Sequence, residues 1–203
     1  MSASAPSTLA APRHPATFTG RDELVARLAA AVSQPTVEAT TAAVRETLID
    51  MIGSGRLALP EESRRPAEGS YARRLVYESP EHGYVVIAMV WGPQQGTSLH
   101  DHDGVWCVEG VVEGEIEVVQ YDLVEHQGER YRFEPQGTVK AGLGTAGSLI
   151  PPFEYHTIKN SLADGRSSIT LHIYGRELQK AHIFAPEGDG WYQRTVRLLG
   201  YAN

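Results

Sequence analysis

The chain has 203 residues, a formal net charge of -7 and one cysteine, Cys107. That length suits one domain with a core of its own. The acidic balance, with no lysine or arginine run, argues against nucleic acid or an anionic membrane surface as a partner. A single cysteine excludes an intramolecular disulfide framework and suits a reducing cytosol. No apolar stretch approaches the ~20 residues of a membrane span. The start, Met1-Ser2-Ala3-Ser4-Ala5-Pro6, lacks the charged and apolar parts of a secretory signal. A cytoplasmic protein is expected, monomeric or weakly homo-oligomeric.

Residues 1 to 18 are rich in Ala, Ser, Pro and Thr, with little to bury, and read as a disordered lead-in. From Asp22 to Val32 the residues Leu24, Val25, Leu28 and Ala31 recur at helical spacing. Pro35 breaks that helix, and a second follows with the face Ala43, Val44, Leu48 and Met51, closed by Gly53-Ser54-Gly55. The charged stretch from Glu61 to Gly69, with Pro60 and Pro66 about it, reads as a surface loop. After residue 70 the texture changes to short β-rich runs between Gly and Pro. They are Tyr84 to Trp91, Val105 to Val112, Glu115 to Asp122, Tyr131 to Glu134, Thr138 to Ala141, Ser148 to Ile150 and Ser168 to Tyr174. Many short strands at this spacing predict a mainly β fold, an antiparallel sandwich or barrel over 70–203. A small helical cap over 19–69 precedes it within one domain.

His100-Asp101-His102 places two imidazoles two residues apart, hence on one face of a strand. Alone the pair is a weak signal. It gains weight from the buried run that leads into it through Gly92-Pro93 and Gly96, and from a third histidine, His156, after Pro151-Pro152. Three neutral imidazoles suit Fe(II), Zn(II), Ni(II) or Cu(II), and ligand softness alone does not choose. Three protein ligands leave positions open, as a catalytic site requires. The competing reading is a surface pair and a satisfied core histidine. In the run from Ile169 to Tyr174, Thr170, His172 and Tyr174 share one face and Ile169, Leu171 and Ile173 the other. The polar row is either an inward hydrogen-bonded relay or an ordinary solvated face. Tyr71 and Arg73 point together by the same alternation, and an arginine aimed into a pocket is a bidentate carboxylate clamp. Arg74 points the other way. His14, His82, His126 and His182 read as surface or packing residues, Glu113, Glu115 and Glu117 as a solvated strand face, and Trp106 as core.

Trp91-Gly92-Pro93 through His100-Asp101-His102, then Cys107 and Gly114, resembles the first cupin motif as cysteine dioxygenases carry it. Cys107 stands where most cupins have a metal-binding glutamate. His156 with Asn160 resembles the second cupin motif, although Phe153 replaces an expected glycine. Thr170-Leu171-His172-Ile173-Tyr174 resembles the Ser-x-His-x-Tyr segment of thiol dioxygenases, and Tyr71 to Val76 resembles the segment that carries the substrate-binding arginine. The chain is thus similar, from about residue 70 to 185, to the cysteine dioxygenase type I family, in its bacterial arginine-type branch. The resemblance implies a cupin barrel, the double-stranded β-helix or jelly-roll, with Fe(II) on His100, His102 and His156. It implies a small thiol and O2 as reactants, Arg73 and Tyr71 as substrate-binding residues, and Tyr174, oriented by His172 and Thr170, as the catalytic donor. It implies L-cysteine oxidised to cysteine sulfinic acid, with 3-mercaptopropionate and mercaptosuccinate as alternative substrates. A dicarboxylate would need a second cation, for which Arg176 and Lys180 are the candidates. Cys107 and Tyr174 are the two partners of the family's thioether cross-link. The alternative from another class is a non-catalytic metal-binding cupin.

Overall fold

The computed structural model describes residues 17–202. The expected lead-in, with His14, lies outside them except for Thr17 and Phe18, and Phe18 packs against the core. Two helices come first, α1 (Arg21–Val32) and α2 (Val37–Gly53). Thr36 starts the second, its side-chain oxygen accepting from the Ala39 N–H at 3.1 Å. A short 3-10 turn, Glu61–Arg64, lies in the stretch expected to be a loop. Among the described residues no helix is long and apolar enough to cross a membrane.

The strands that follow are β1 (Ala72–Glu78), β2 (Val85–Trp91), β3 (Leu99–His100), β4 (Cys107–Glu113), β5 (Glu115–Gln127), β6 (Arg130–Gly142), β7 (Ala146–Leu149), β8 (His156–Asn160), β9 (Ser168–Tyr174), β10 (Lys180–Gly188) and β11 (Trp191–Leu198). They form two antiparallel sheets. One runs β1-β2-β9-β4-β7, and the other is a ring, β10-β11-β6-β5-β8-β3, that closes on itself.

Every residue of β2 and of β9 is buried, because both faces of their sheet are covered. On the outer face Val86, Ala88, Val90, Ile169, Leu171 and Ile173 meet Leu24, Leu28, Leu48 and Met51 of the helices. Gly110 lets α2 come this close, since a Cβ there would lie 2.9 Å from Ile52 Cδ1. On the inner face Val85, Ile87, Met89 and Trp91 meet Ile116 and Ile158 of the ring. The site lies in this inner layer.

Two expectations need correction. The separate strands 131–134 and 138–141 are one strand, β6. Pro135 is accommodated because the pairing with β5 shifts between Gln120 and Tyr121, opposite it, and a proline costs no ladder bond at such an irregularity. The pair β10 and β11 has no counterpart in the sequence reading. Exposure of most residues in its second half, with Pro186 and Gly188 between, removes the alternation that would announce strands.

Candidate metal centre and substrate cavity

β3 ends at His100, which stands opposite His156, the first residue of β8, and their ring centroids are 4.5 Å apart. His102 lies two residues beyond β3 rather than on it, yet its ring is 5.2 Å from each of the other two. The loop between them is fixed by His182. Its Nδ1 and main-chain N–H sit 2.8 and 2.9 Å from the two carboxylate oxygens of Asp101, so this histidine packs the turn that aims the other pair. One ligand atom from each of His100, His102 and His156 falls within 4.8 Å of the others.

The protons on these rings are placed by their outer partners. Nδ1 of His100 lies 3.0 Å from Ser98 O, Nδ1 of His156 2.8 Å from Glu154 O, and Nδ1 of His102 3.1 Å from Glu154 Oε2. Carbonyl and carboxylate oxygens accept, so each Nδ1 donates and each Nε2 is turned toward the common centre. Nε2 of His102 and of His156 are buried with no hydrogen-bond partner. Burial and the neighbouring imidazoles hold His100 well below its ordinary pKa, and the same causes push His102 down to about 3. Both are neutral at pH 7, as a metal ligand must be. At His156 burial acts in the same sense, but the Glu109 carboxylate outweighs it and the pKa rises. A proton and a cation compete for that nitrogen. Glu154, raised to about 7 by burial, also accepts from the His102 main-chain N–H at 2.7 Å.

Behind the histidines, one register sets the rest. β4 and β9 pair Cys107 with Tyr174, Glu109 with His172 and Val111 with Thr170; directly opposed residues share a face. Thr170 Oγ1 accepts from the Trp91 indole N–H at 2.9 Å and lies 2.7 Å from His172 Nε2. If the hydroxyl donates to Nε2, the Nδ1 proton of His172 goes to Glu109 Oε1, 3.2 Å away. Tyr174 Oη is 3.4 Å from the same Nδ1. The inward polar row is thus in contact from Thr170 through His172 to Tyr174, and Glu109 adds a carboxylate acceptor at the same Nδ1.

Glu109 is the residue that the sequence reading missed. It sits two positions after Cys107 and so faces the same way, which is the signal that was available. Its Oε1 is 3.5 Å from His156 Nε2. Burial would raise its pKa, but His172 and His156 more than offset that and hold it well below the carboxylate range. A negative charge thus stands beside the three imidazoles, although the usual cupin position for it is Cys107. Burial and Glu109 push the Cys107 thiol well up, and burial does the same to the Tyr174 phenol, so both keep their protons.

The centre opens into a cavity walled by Tyr71, Arg73, Tyr174, Leu178, Ile183 and Arg197, among others. Thr170 and His172 lie behind this wall. Arg73 is 5% exposed. Its Nη1 donates to Gly200 O at 3.2 Å and the guanidinium lies 5.2 Å from the Tyr201 ring, but Nε and Nη2 are buried without partners. Arg74 turns outward to Arg65 O. Tyr71 rests on Trp91, ring centroids 4.7 Å apart. Arg176 and Lys180, the expected second cations, do not line the cavity. Arg176 donates to Asp103 O at 3.0 Å, and Lys180 Nζ lies 3.5 Å from Asp103 Oδ1. That carboxylate, on the loop outside, draws both away. Arg197 stands in the cavity wall instead, and no local pattern pointed to it, since it arrives from the far end of β11.

Asn160 is wholly buried and structural. Its Nδ2 lies 3.0 Å from Trp91 O and 2.9 Å from Arg166 O, and its Oδ1 accepts from Leu162 N–H. It holds the end of β2 where the chain turns toward the histidines.

A solved protein from Klebsiella pneumoniae, described as an uncharacterized conserved protein with a double-stranded beta-helix domain, is 20% identical. The match covers 70% of this chain and 93% of that one at a TM-score of 0.45. A cupin 2 domain-containing protein from Halorhodospira halophila is 21% identical over 62% of this chain and 77% of its own, at a TM-score of 0.41. The family comparison is the more specific. Residues 66–186 match cysteine dioxygenase type I, a span that takes in Tyr71 and Arg73, the three clustered histidines and the whole of β9. That is more than half of the chain, which therefore belongs to the cysteine dioxygenase type I family.

Proposed function

We propose that the protein is an iron-dependent thiol dioxygenase that adds both atoms of O2 to the sulfur of a small, carboxylate-bearing thiol. That class includes L-cysteine, the substrate expected from the sequence, and the mercapto acids. One observation carries the reading. Of the five buried side-chain nitrogens and oxygens without a partner among the described residues, four belong to His102, His156 and Arg73, and all three residues surround one centre and its cavity. An orphaned buried polar atom costs about 1–3 kcal/mol, more where charge is involved. A cation on the imidazoles and a carboxylate on the guanidinium would satisfy all four.

His100, His102 and His156 are the residues that would hold Fe(II), which when bound supplies a place for sulfur and O2 to meet and the electrons that activate O2. The remaining work falls to the protein. Arg73 anchors the carboxylate in a wall that keeps water out, with Tyr71 beside it, so that the thiol sulfur is turned to the histidines. Tyr174 keeps its proton and presents it from the cavity wall. His172, held between Thr170 and Glu109, fixes the floor behind that phenol. The opposition of Cys107 and Tyr174 suits the expected cross-link. Forming the S–C bond breaks one S–H and one ring C–H bond, and O2 takes the two electrons and two protons to leave as hydrogen peroxide.

The test is to load the protein with Fe(II), supply isotopically labelled dioxygen with a panel of thiols, and analyse iron content, oxygen uptake and product. One iron per chain and a sulfinate carrying two labelled oxygens are expected. Iron bound without turnover would make the protein a non-catalytic metal-binding cupin, and disulfide as the only product would reduce the uptake to autoxidation.

A further inference from the structure

Two guanidinium groups and no carboxylate wall the cavity beside the histidines. Arg73 is deep, with two nitrogens unpaired. Arg197 is exposed at the mouth, 5.9 Å above the Tyr71 ring. Both also line an adjoining cavity bounded by residues 198–202, so they stand along one passage. Among the described residues neither cavity is lined by an Asp or Glu. Arg197 differs in this from its neighbours in the ring of strands. Arg130 pairs with Glu187, Arg132 with Glu125 and Arg194 with Glu129, whereas no carboxylate pairs with Arg197 among the described residues. Among the described residues its guanidinium lies over the face of Tyr71, which directs it over the passage.

We propose that the substrate class is a thiol bearing two carboxylates, the inner one held by Arg73 and the outer one by Arg197. The inference rests on the thiol dioxygenase reading and narrows it. Cysteine carries one carboxylate and so can engage one of the two guanidinium groups. A monocarboxylate would leave the outer guanidinium without a partner. A dicarboxylate satisfies both, with the sulfur inward at the histidines. The chemistry balances without a further reactant: the thiol S–H becomes a sulfinic acid, sulfur gives up four electrons, and O2 takes them as both its atoms join sulfur.

The experiment uses the iron-loaded full chain and an Arg197→Met variant, which keeps a side chain against Tyr71 and removes the charge. Initial oxygen uptake is measured with mercaptosuccinate, 3-mercaptopropionate and cysteine. Binding of the sulfur-free acids succinate and propionate is measured calorimetrically. Mercaptosuccinate is expected to have the highest kcat/KM. Arg197→Met is expected to lower the ratio of mercaptosuccinate to 3-mercaptopropionate by roughly five-fold, mainly through KM, as suits an ion pair at a solvent-facing mouth. The preference for succinate over propionate should shrink likewise. Both ratios unchanged in the variant, or a parent enzyme that prefers a monocarboxylate or cysteine, would overturn the dicarboxylate class and leave the dioxygenase standing. No turnover of any thiol would sink the dioxygenase, while the succinate preference would still report the two-arginine site.

Discussion

The three imidazoles and Glu109 form a unit whose members have separable duties. His156 presents an orphaned Nε2 to the centre, and Glu109 supplies a charge whose Oε1 lies 3.5 Å from that nitrogen. His156→Ala should therefore abolish stoichiometric iron binding, while Glu109→Gln, close in shape, should retain the site and weaken it. A unit negative charge some 5 Å from a divalent cation at an effective dielectric near 20 is worth roughly 6 kcal/mol. Screening reduces this, so a loss of about ten-fold or more in Fe(II) affinity is expected, read by titration against a competing chelator. Equal affinity in Glu109→Gln and the parent would show that the carboxylate serves only His172.

At the level of the strand, the site depends on which residues of β4 and β9 oppose each other. A slip of one residue would turn Thr170, His172 and Tyr174 into the helices and Ile169, Leu171 and Ile173 into the cavity. The native register instead opposes Cys107 and Tyr174. After aerobic turnover, intact mass should fall by two hydrogens in the linked fraction, and digestion should yield the two peptides joined. Freely alkylated Cys107 in all molecules would exclude the bond and leave the dioxygenase reading intact. This strand pair also shows what the sequence makes legible. The alternation in β9 could be read directly, but alternation says only that two faces differ, not which is inside. The apolar face of the helices settles that by covering Ile169, Leu171 and Ile173. Glu109 is legible by the same period from Cys107, but alternation alone does not mark a buried carboxylate as part of a site. Arg197 was not legible, because its place in the wall comes from long-range pairing of β11 with β10 and β6.

The whole molecule carries its own pH limit. Burial disfavours the ionised forms of Tyr84, beneath the helices, and Tyr155, packed against Phe133 and Phe184, and pushes each up to about 12 from 10.0. Nearby charges, Asp101 and Glu154, add to the effect at Tyr155. The unfolded chain loses these protons near pH 10 and the folded chain only near 12. The stability at stake is thus fully present below pH 10 and is lost as pH climbs toward 12. Melting temperature should hold up to about pH 10 and fall beyond it, and Tyr84→Phe with Tyr155→Phe should lessen that fall. An equally steep decline in the double variant would place its origin elsewhere.

The wall around Arg73 is closed by residues 200–202. Gly200 O receives its Nη1, Ala202 N–H donates to its main-chain oxygen at 2.7 Å, and Tyr201 covers its guanidinium. The clamp is thus closed by a contact that spans 127 positions of sequence, while the histidines are held by other strands. Loosening residues 200–202 would free the guanidinium and leave the metal centre assembled, so the segment acts as a catch on substrate alone.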